Sequence, residues 1–323
     1  WLPSLILVIV FLIWNGIFTK GFFGAFSFRY FLNIFVPLAC IAIGVTVTVI
    51  CGGIDLSTGA LVCVVNCTFV VLQEHGMNFV GAMILSLLIS VAVGAVNGFF
   101  VAVVRINPLL VTYAMQTVCT GLALYILPIA GGKTDERFTN WYSSGTILGI
   151  PVSVIFFIVV PLIIWYVIKK TPMGYWLYAT GKDEKKAFES GINTVVVQFF
   201  AYIFSGLMTG WAAVAFSGSI IGGDPNAGSS FTMNAVAATV VGGTALAGGE
   251  GDPIGGVLGA MFVELAIYAV LGAQVSTYVE ELCNGLIVLL GVVGMMAYSL
   301  VKNRKWSVEM GMGKILEKRF LGM

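Results

Sequence analysis

Long apolar runs with few or no charges, each bounded by polar or glycine-rich turns, dominate the chain: 2–18, 33–51, 57–73, 78–104, 109–130, 150–168, 195–217, 234–247, 254–273 and 277–301. A helix needs about 20 apolar residues to cross a bilayer, so most of these runs are of spanning length. They predict an all-α polytopic membrane protein with about ten transmembrane helices, because helices satisfy their own backbone groups in lipid. The eighth run, 234–247, is the exception, since it is short and rich in glycine and alanine. It is expected to be half of a broken helix or a re-entrant piece.

Composition agrees with that pattern. Of 323 residues, 59% are hydrophobic and only 10% are charged, against roughly 25% charged in a soluble domain, which excludes a water-soluble globule. Sixteen Lys and Arg nearly balance fifteen Asp and Glu, leaving no basic surface for nucleic acid. Positive charge orients the runs, because loops on the cytoplasmic side are enriched in Lys and Arg. Lys169, Lys170, Lys182, Lys185 and Lys186 mark the 169–194 loop as cytoplasmic. Lys302, Arg304, Lys305, Lys314, Lys318 and Arg319 do the same for the 302–323 tail. Counting back puts Arg105 and the N-terminus inside and the 131–149 segment outside, with Lys20 and Arg29 opposing the rule on the external side. Trp1 opens the first apolar run directly, and no cleavable signal is expected in it.

Two glycine-rich segments stand out, since irregular backbone at membrane depth is tolerated only where protein or a watery cavity surrounds it. Gly52-Gly53-Ile54-Asp55-Leu56-Ser57-Thr58-Gly59 and Gly242-Gly243-Thr244-Ala245-Leu246-Ala247-Gly248-Gly249 are identical at four positions with the same spacing. Each follows β-branched residues (Thr46 to Ile50, Thr239 to Val241), and Asn97-Gly98 is echoed by Asn284-Gly285. This reads as an internal repeat dividing one transmembrane domain, 1–323, into a first half, 1–168, and a second half, 195–301. Paired glycine-interrupted spans point to a transport pathway at the repeat interface, although small residues also serve close helix packing. The span count puts both motifs on one side, as in a parallel repeat.

Ionisable groups inside spans are costly and need a reason. Asp55 is placed either to cap the third span or to meet solute. Glu264 lies mid-span in Ala260-Met261-Phe262-Val263-Glu264-Leu265-Ala266, where it is expected to be neutral or hydrogen-bonded, with proton coupling as the alternative. Asn66, Asn97, Gln116, Gln198 and Asn284 are expected to bond between helices. The six cysteines sit in apolar runs and read as small hydrophobes. Cys63 and Cys67 share a helix face, but the single histidine, His75, stands in a polar turn, so no metal site is expected. No HExxH, GxSxG or GxxxxGK[ST] pattern occurs, and Gly311-Met312-Gly313-Lys314 is not a phosphate loop. The chain is therefore expected to be no enzyme and to hold no cofactor.

The stretch Thr180 to Asn193 is the longest mixed-charge segment between spans, with Gly191 standing where a helix stop belongs. It reads as a short surface helix over 182–190, the other possibility being a solvated linker. Its position between the halves favours the helix, because a partner pushing there would move one half against the other.

With that segment the sequence resembles the ribose-type permeases of bacterial ABC importers, from about Pro37 to Val293. Three stretches carry the likeness: Gly52-Gly53-Ile54-Asp55-Leu56-Ser57; Gly181 through Ile192, similar to a Gly-x-Asn-x-x-Ala-Ala-x-x-Ser-Gly-Ile coupling segment; and Val240-Val241-Gly242-Gly243-Thr244-x-Leu246-x-Gly248-Gly249. The resemblance implies a type II-like importer architecture in the bacterial inner membrane, with both termini cytoplasmic. Its expected partners are a second permease subunit, homologous or identical, cytoplasmic ATPases that use ATP and Mg²⁺, and an extracytoplasmic substrate-binding protein that delivers a sugar or similar solute. It also implies ATPase docking on a coupling helix with Gly181, Lys182, Asp183, Glu184, Ala187, Ser190, Gly191 and Ile192, and a pathway beside Gly52, Gly53, Asp55, Ser57, Gly242, Gly243, Thr244 and Gly248. Asp183 replaces the family's asparagine and Lys186 its first alanine, making this helix more charged and implying a matching acidic groove on the ATPase. Glu264 is foreign to the pattern. The rival function is an ion-coupled secondary transporter or channel using Asp55 and Glu264.

Overall fold

A computed structural model of the chain describes residues 2–272 and, beyond them, residues 282, 285, 286, 289, 293 and 294. The run 277–301 as a whole, Asn284 and the 302–323 tail lie outside the described residues. Described are α1 (Leu2–Phe18), α2 (Ala25–Ile50), α3 (Thr58–Glu74), α4 (Phe79–Gly98) with a π turn at Phe99–Val103, α5 (Pro108–Ile126) and α6 (Glu136–Ser144). A two-residue hairpin follows, β1 (Thr146–Ile147) against β2 (Ile150–Pro151). Then come α7 (Val152–Lys169), α8 (Pro172–Lys182), α9 (Glu184–Glu189), α10 (Thr194–Ile220), α11 (Phe231–Val241) and α12 (Pro253–Gly272). The protein is an all-α polytopic membrane protein. Among the described residues six helices are long and apolar enough to cross a membrane, namely α2, α4 with its π turn, α5, α7, α10 and α12, and α1, α3 and α11 are shorter apolar helices.

Helix α2 begins at Ala25 rather than at residue 33, because Arg29 does not end it. The guanidinium leaves the helix sideways and donates to the Ser144 carbonyl at 3.2 Å. From Phe35 to Ile50 every residue of α2 is buried, which makes it the centre of the molecule with α10 beside it.

Membrane chemistry inverts the usual inside-outside rule at this centre. The buried positions of α4 are Ala82, Ser86, Ser90, Gly94, Asn97 and Gly98, while Val80, Ile84, Leu88 and Val96 are exposed. Lipid is as apolar as leucine, so helices associate through small residues that let backbones approach. Accordingly, Ser90 Oγ donates to the Gly206 carbonyl at 2.5 Å, and a side chain at Gly94 would meet the Tyr202 carbonyl at 2.6 Å. The α11–α12 contact is built the same way, from Ala238 and Gly242 against Gly255 and Gly259.

Candidate functional site

Both glycine segments begin as the same helix end. At α2, Gly52 has φ +86°, its N–H donates to the Val49 carbonyl and that of Gly53 to the Thr48 carbonyl, each at 2.9 Å. At α11, Gly243 has φ +89°, with its N–H on Val240 at 2.9 Å and that of Thr244 on Thr239 at 3.2 Å. These are Schellman ends, in which glycine takes the left-handed position. The structurally equivalent residues are thus Gly52 and Gly243, one residue out of step with the match by identity. In this register Thr48-Val49-Ile50-x-Gly52 answers Thr239-Val240-Val241-x-Gly243. Helices α2 and α11 lie together, their Thr46 and Thr239 hydroxyls 3.2 Å apart.

Beyond the shared end the two segments diverge. Residues 54–57 pass without regular secondary structure into the buried interior and start α3 at Thr58, whereas 244–252 closes into a compact loop with the Ala245 N–H on the Glu250 carbonyl. The inward segment is held on all sides. Asp55, 1% exposed, accepts from the Ser57 N–H (3.0 Å) and hydroxyl (2.6 Å) through one oxygen and from the Ser205 hydroxyl (2.8 Å) through the other. Asn97 Nδ2 donates to Ser57 Oγ at 2.9 Å, and the Thr112 hydroxyl, bonded to the Pro108 carbonyl at 2.8 Å, lies 3.3 Å from the Ile54 carbonyl. Ser205 lies eleven residues into α10, about 16 Å along the axis at 1.5 Å per residue, so Asp55 sits well inside the helix bundle. It does not cap α3 directly; it closes a turn one step earlier, and the N-cap position is Ser57.

Helices α3 and α11 bring their N-terminal ends together in this interior. Thr232 Oγ1 accepts from the Gly59 N–H at 3.0 Å and donates to the Leu56 carbonyl at 3.3 Å. Gly59 and Gly228 touch backbone to backbone, and the Gly228 N–H reaches Cys63 Sγ at 3.1 Å. Asn66 binds this crossing to α10 through Ser217 Oγ at 2.7 Å and accepts from the Asp224 N–H at 2.8 Å. Asn97 Oδ1 and Thr58 Oγ1 are buried without a hydrogen-bond partner among the described residues. Among those residues no three His, Cys, Asp or Glu are grouped to hold a metal.

The charged 169–194 segment is two helices rather than one. Asp183 breaks the run, accepting from the Lys186 N–H at 3.1 Å as the cap of α9. That bond and the Lys186 ammonium hold its carboxyl below the ordinary carboxylate range. Gly191, φ +85°, ends α9. Ala187 is buried against the protein, while Lys185, Phe188 and Glu189 are exposed, Phe188 by 69%. Gly181 is wedged where the glycine segments meet: a side chain there would strike the Ile50 carbonyl and come within 2.8 Å of the Gly249 N–H, which itself donates to Ile50 at 2.8 Å. Tyr178 Oη donates to the Gly251 carbonyl at 2.9 Å, and Lys169 pairs with Asp252. The structure therefore joins Gly52, Gly181 and Gly248 in one junction and leaves Asp55 and Ser57 deeper. Sequence reasoning missed Ser205, Thr232 and Phe188; an exposed aromatic in a charged helix was the available signal for the last.

On the face opposite α9, a cavity of about 440 Å³ opens between the start of α2, the end of α6 and the end of α10, lined by Arg29, Tyr30, Asn33, Ser144 and Ser219 among others.

Residues 27–297 match the family described as branched-chain amino acid transport system / permease component. The ribose import permease of Bacillus subtilis is 32% identical over 256 residues, covering 78% of this chain and 79% of the relative. That of Escherichia coli K12 is 30% identical over 271 residues, 83% and 82% of the two chains. The D-allose transport system permease of the same strain is 30% identical over 283 residues, 84% and 86%. No solved structure matches the chain.

Proposed function

The chain belongs to the branched-chain amino acid transport system / permease component family as a permease subunit of an ABC importer, and on that premise we propose how it works. It sits in the bacterial inner membrane with both termini and α9 in the cytoplasm, and pairs with a second permease subunit. Cytoplasmic ATPases, which use ATP and Mg²⁺, dock on α9; an extracytoplasmic binding protein delivers the solute to the face that carries the 440 Å³ cavity. The solute is a pentose, hexose or similar small polar molecule, as the names of the ribose and allose relatives indicate for those proteins. The chain itself hydrolyses nothing.

One observation carries this reading above the others. Gly181, in the segment leading into α9, packs backbone to backbone against Ile50 at the end of α2 and Gly249 in the second glycine segment. A body gripping α9 therefore pushes on both segments at once. The passage beside them is supported by the meeting of two helix N-termini, whose partial positive charge favours electronegative groups, and by the Asn97 and Thr58 oxygens, which have no partner among the described residues.

Docking falls to the outward side chains Lys185, Phe188 and Glu189, because Ala187 faces inward. Burying an aromatic at an interface centre is worth about 2 kcal/mol or more. Phe188→Ala is expected to weaken retention of the ATPase on purification about thirtyfold while leaving the melting temperature unchanged. Undiminished retention of the ATPase by this variant would remove α9 as the docking element.

A further inference from the structure

We infer that Arg105 is a positioning residue that carries movement of α9 to the inward segment Ile54–Ser57. The inference rests on the proposed docking of an ATPase at α9.

Glu184, the first residue of α9, is held from two sides. Arg105 Nη1 pairs with its Oε1, and the buried Thr194 hydroxyl at the start of α10 donates to the same oxygen at 3.2 Å. Arg105 stands in the short connection between α4 and α5 with φ +66°, a left-handed conformation unusual for a residue with a side chain. Such backbone persists where its surroundings enforce it and clusters at switch regions.

The two arms of that connection both end on the inward segment. On the α4 side, Asn97 donates to Ser57 Oγ; on the α5 side, the Thr112 hydroxyl, which donates to the Pro108 carbonyl of its own helix at 2.8 Å, also lies 3.3 Å from the Ile54 carbonyl. Between Asn97 and Arg105 the helix loosens into the π turn Phe99–Val103, a distortion frequent at functional sites. A displacement of α9 thus draws on Arg105, and Arg105 draws on the two side chains that grip Ile54 and Ser57. Asp55 lies between them. The Gly181 junction reaches the outer ends of the glycine segments, while Arg105 reaches their interior.

The ion pair is a poor candidate for a purely structural part. Both side chains are more than a third exposed, 48% for Arg105 and 40% for Glu184, and exposed pairs contribute little to stability. This separates the two roles experimentally: loss of the pair leaves the fold intact and breaks the link.

The test uses the complete reconstituted importer, wild type, Arg105→Glu and the exchanged Arg105→Glu/Glu184→Arg, with hydrogen–deuterium exchange followed before and after trapping with ATP and vanadate. In the wild type, trapping is expected to alter exchange severalfold in peptides covering α9 and in those covering 52–57. In Arg105→Glu the α9 change persists, the 52–57 change disappears, and the melting temperature and basal ATP hydrolysis stay as in wild type. The exchanged pair restores the 52–57 response. A normal 52–57 response in Arg105→Glu overturns the inference and leaves α9 docking standing. No response at α9 in the wild type overturns both.

Discussion

Asp55 is the residue on which the geometry makes its sharpest demand. Replacing it with alanine removes the acceptor of three hydrogen bonds, from the Ser57 N–H, the Ser57 hydroxyl and the Ser205 hydroxyl. A buried donor left unmade costs about 1–3 kcal/mol, and hydrogen bonds between membrane helices are worth about 0.6–1.7 kcal/mol. The Ser205 hydroxyl recovers part of its loss by turning to a carbonyl of its own helix. Asp55→Ala should therefore cost about 2–5 kcal/mol. Asp55→Asn keeps one carbonyl oxygen for Ser57 and presents an NH₂ group that the Ser205 oxygen can accept, so its cost should stay under about 1 kcal/mol.

The assay has two arms. Thermal unfolding in nanodiscs should rank the variants Asp55→Ala, then Asp55→Asn, then wild type, and a cycle with Ser205→Ala should isolate the interhelical bond. In the reconstituted importer, ATP hydrolysis stimulated by the loaded binding protein should be retained by Asp55→Asn and lost by Asp55→Ala. If Asp55→Ala melts with the wild type, the carboxylate is not a lock. If Asp55→Asn melts normally yet loses all stimulation, the negative charge itself is required and the hydrogen-bond argument fails.

The remaining predictions follow from packing. Gly259→Val drives a branched side chain into the Ala238 carbonyl across the α11–α12 contact, so the variant should fail to accumulate in the membrane, as immunoblotting of membrane fractions would reveal. Gly53→Val meets the buried Tyr202 hydroxyl at 2.5 Å and displaces it from the Ile54 carbonyl, so stimulated ATP hydrolysis should fall more than expression does. Gly243→Val forces a β-branched residue to φ +89°, at about 1–2 kcal/mol for the left-handed backbone. Transport in vesicles should drop more than protein level does. Glu264→Gln preserves shape and should leave ATP-driven uptake unchanged across pH; uptake driven by a pH gradient without ATPase, and lost in this variant, would contradict the importer assignment.

Hydropathy made the helices legible because each apolar run reports its own length, and that holds even for α11, whose shortness is visible in the sequence. Registers between segments are another matter. Identity aligned Gly52 with Gly242, yet the chain turns at Gly52 and Gly243, because a helix end is fixed by which residue takes positive φ and by the carbonyls three and five residues back. The Thr-Val-x-x-Gly signal was present, one step away. The helix expected over 182–190 holds Asp183 inside it, although an aspartate three residues before a backbone N–H it can reach is better placed as a cap. Ser205 and Thr232 carry no local mark. Their role exists only because α10 and α11 pass the inward segment at those heights, and a single sequence holds no record of that crossing.

The same packing bears on how membrane carboxylates are used here. A proton or ion relay needs acids that share a path and leave lone pairs for the cargo. Asp55 has both oxygens engaged by Ser57 and Ser205, among α3, α4 and α10. Glu264 is buried on α12, which packs against α1, α2 and α11, and among the described residues it has no hydrogen bond or ion pair. No described side chain bridges the two. Asp55 is spent on holding Ile54–Ser57 in a non-helical path, and a segment held by side chains can be released by moving the helices that carry them. That is a mechanical use of a carboxylate, and it suits the pathway opening proposed for force applied at α9.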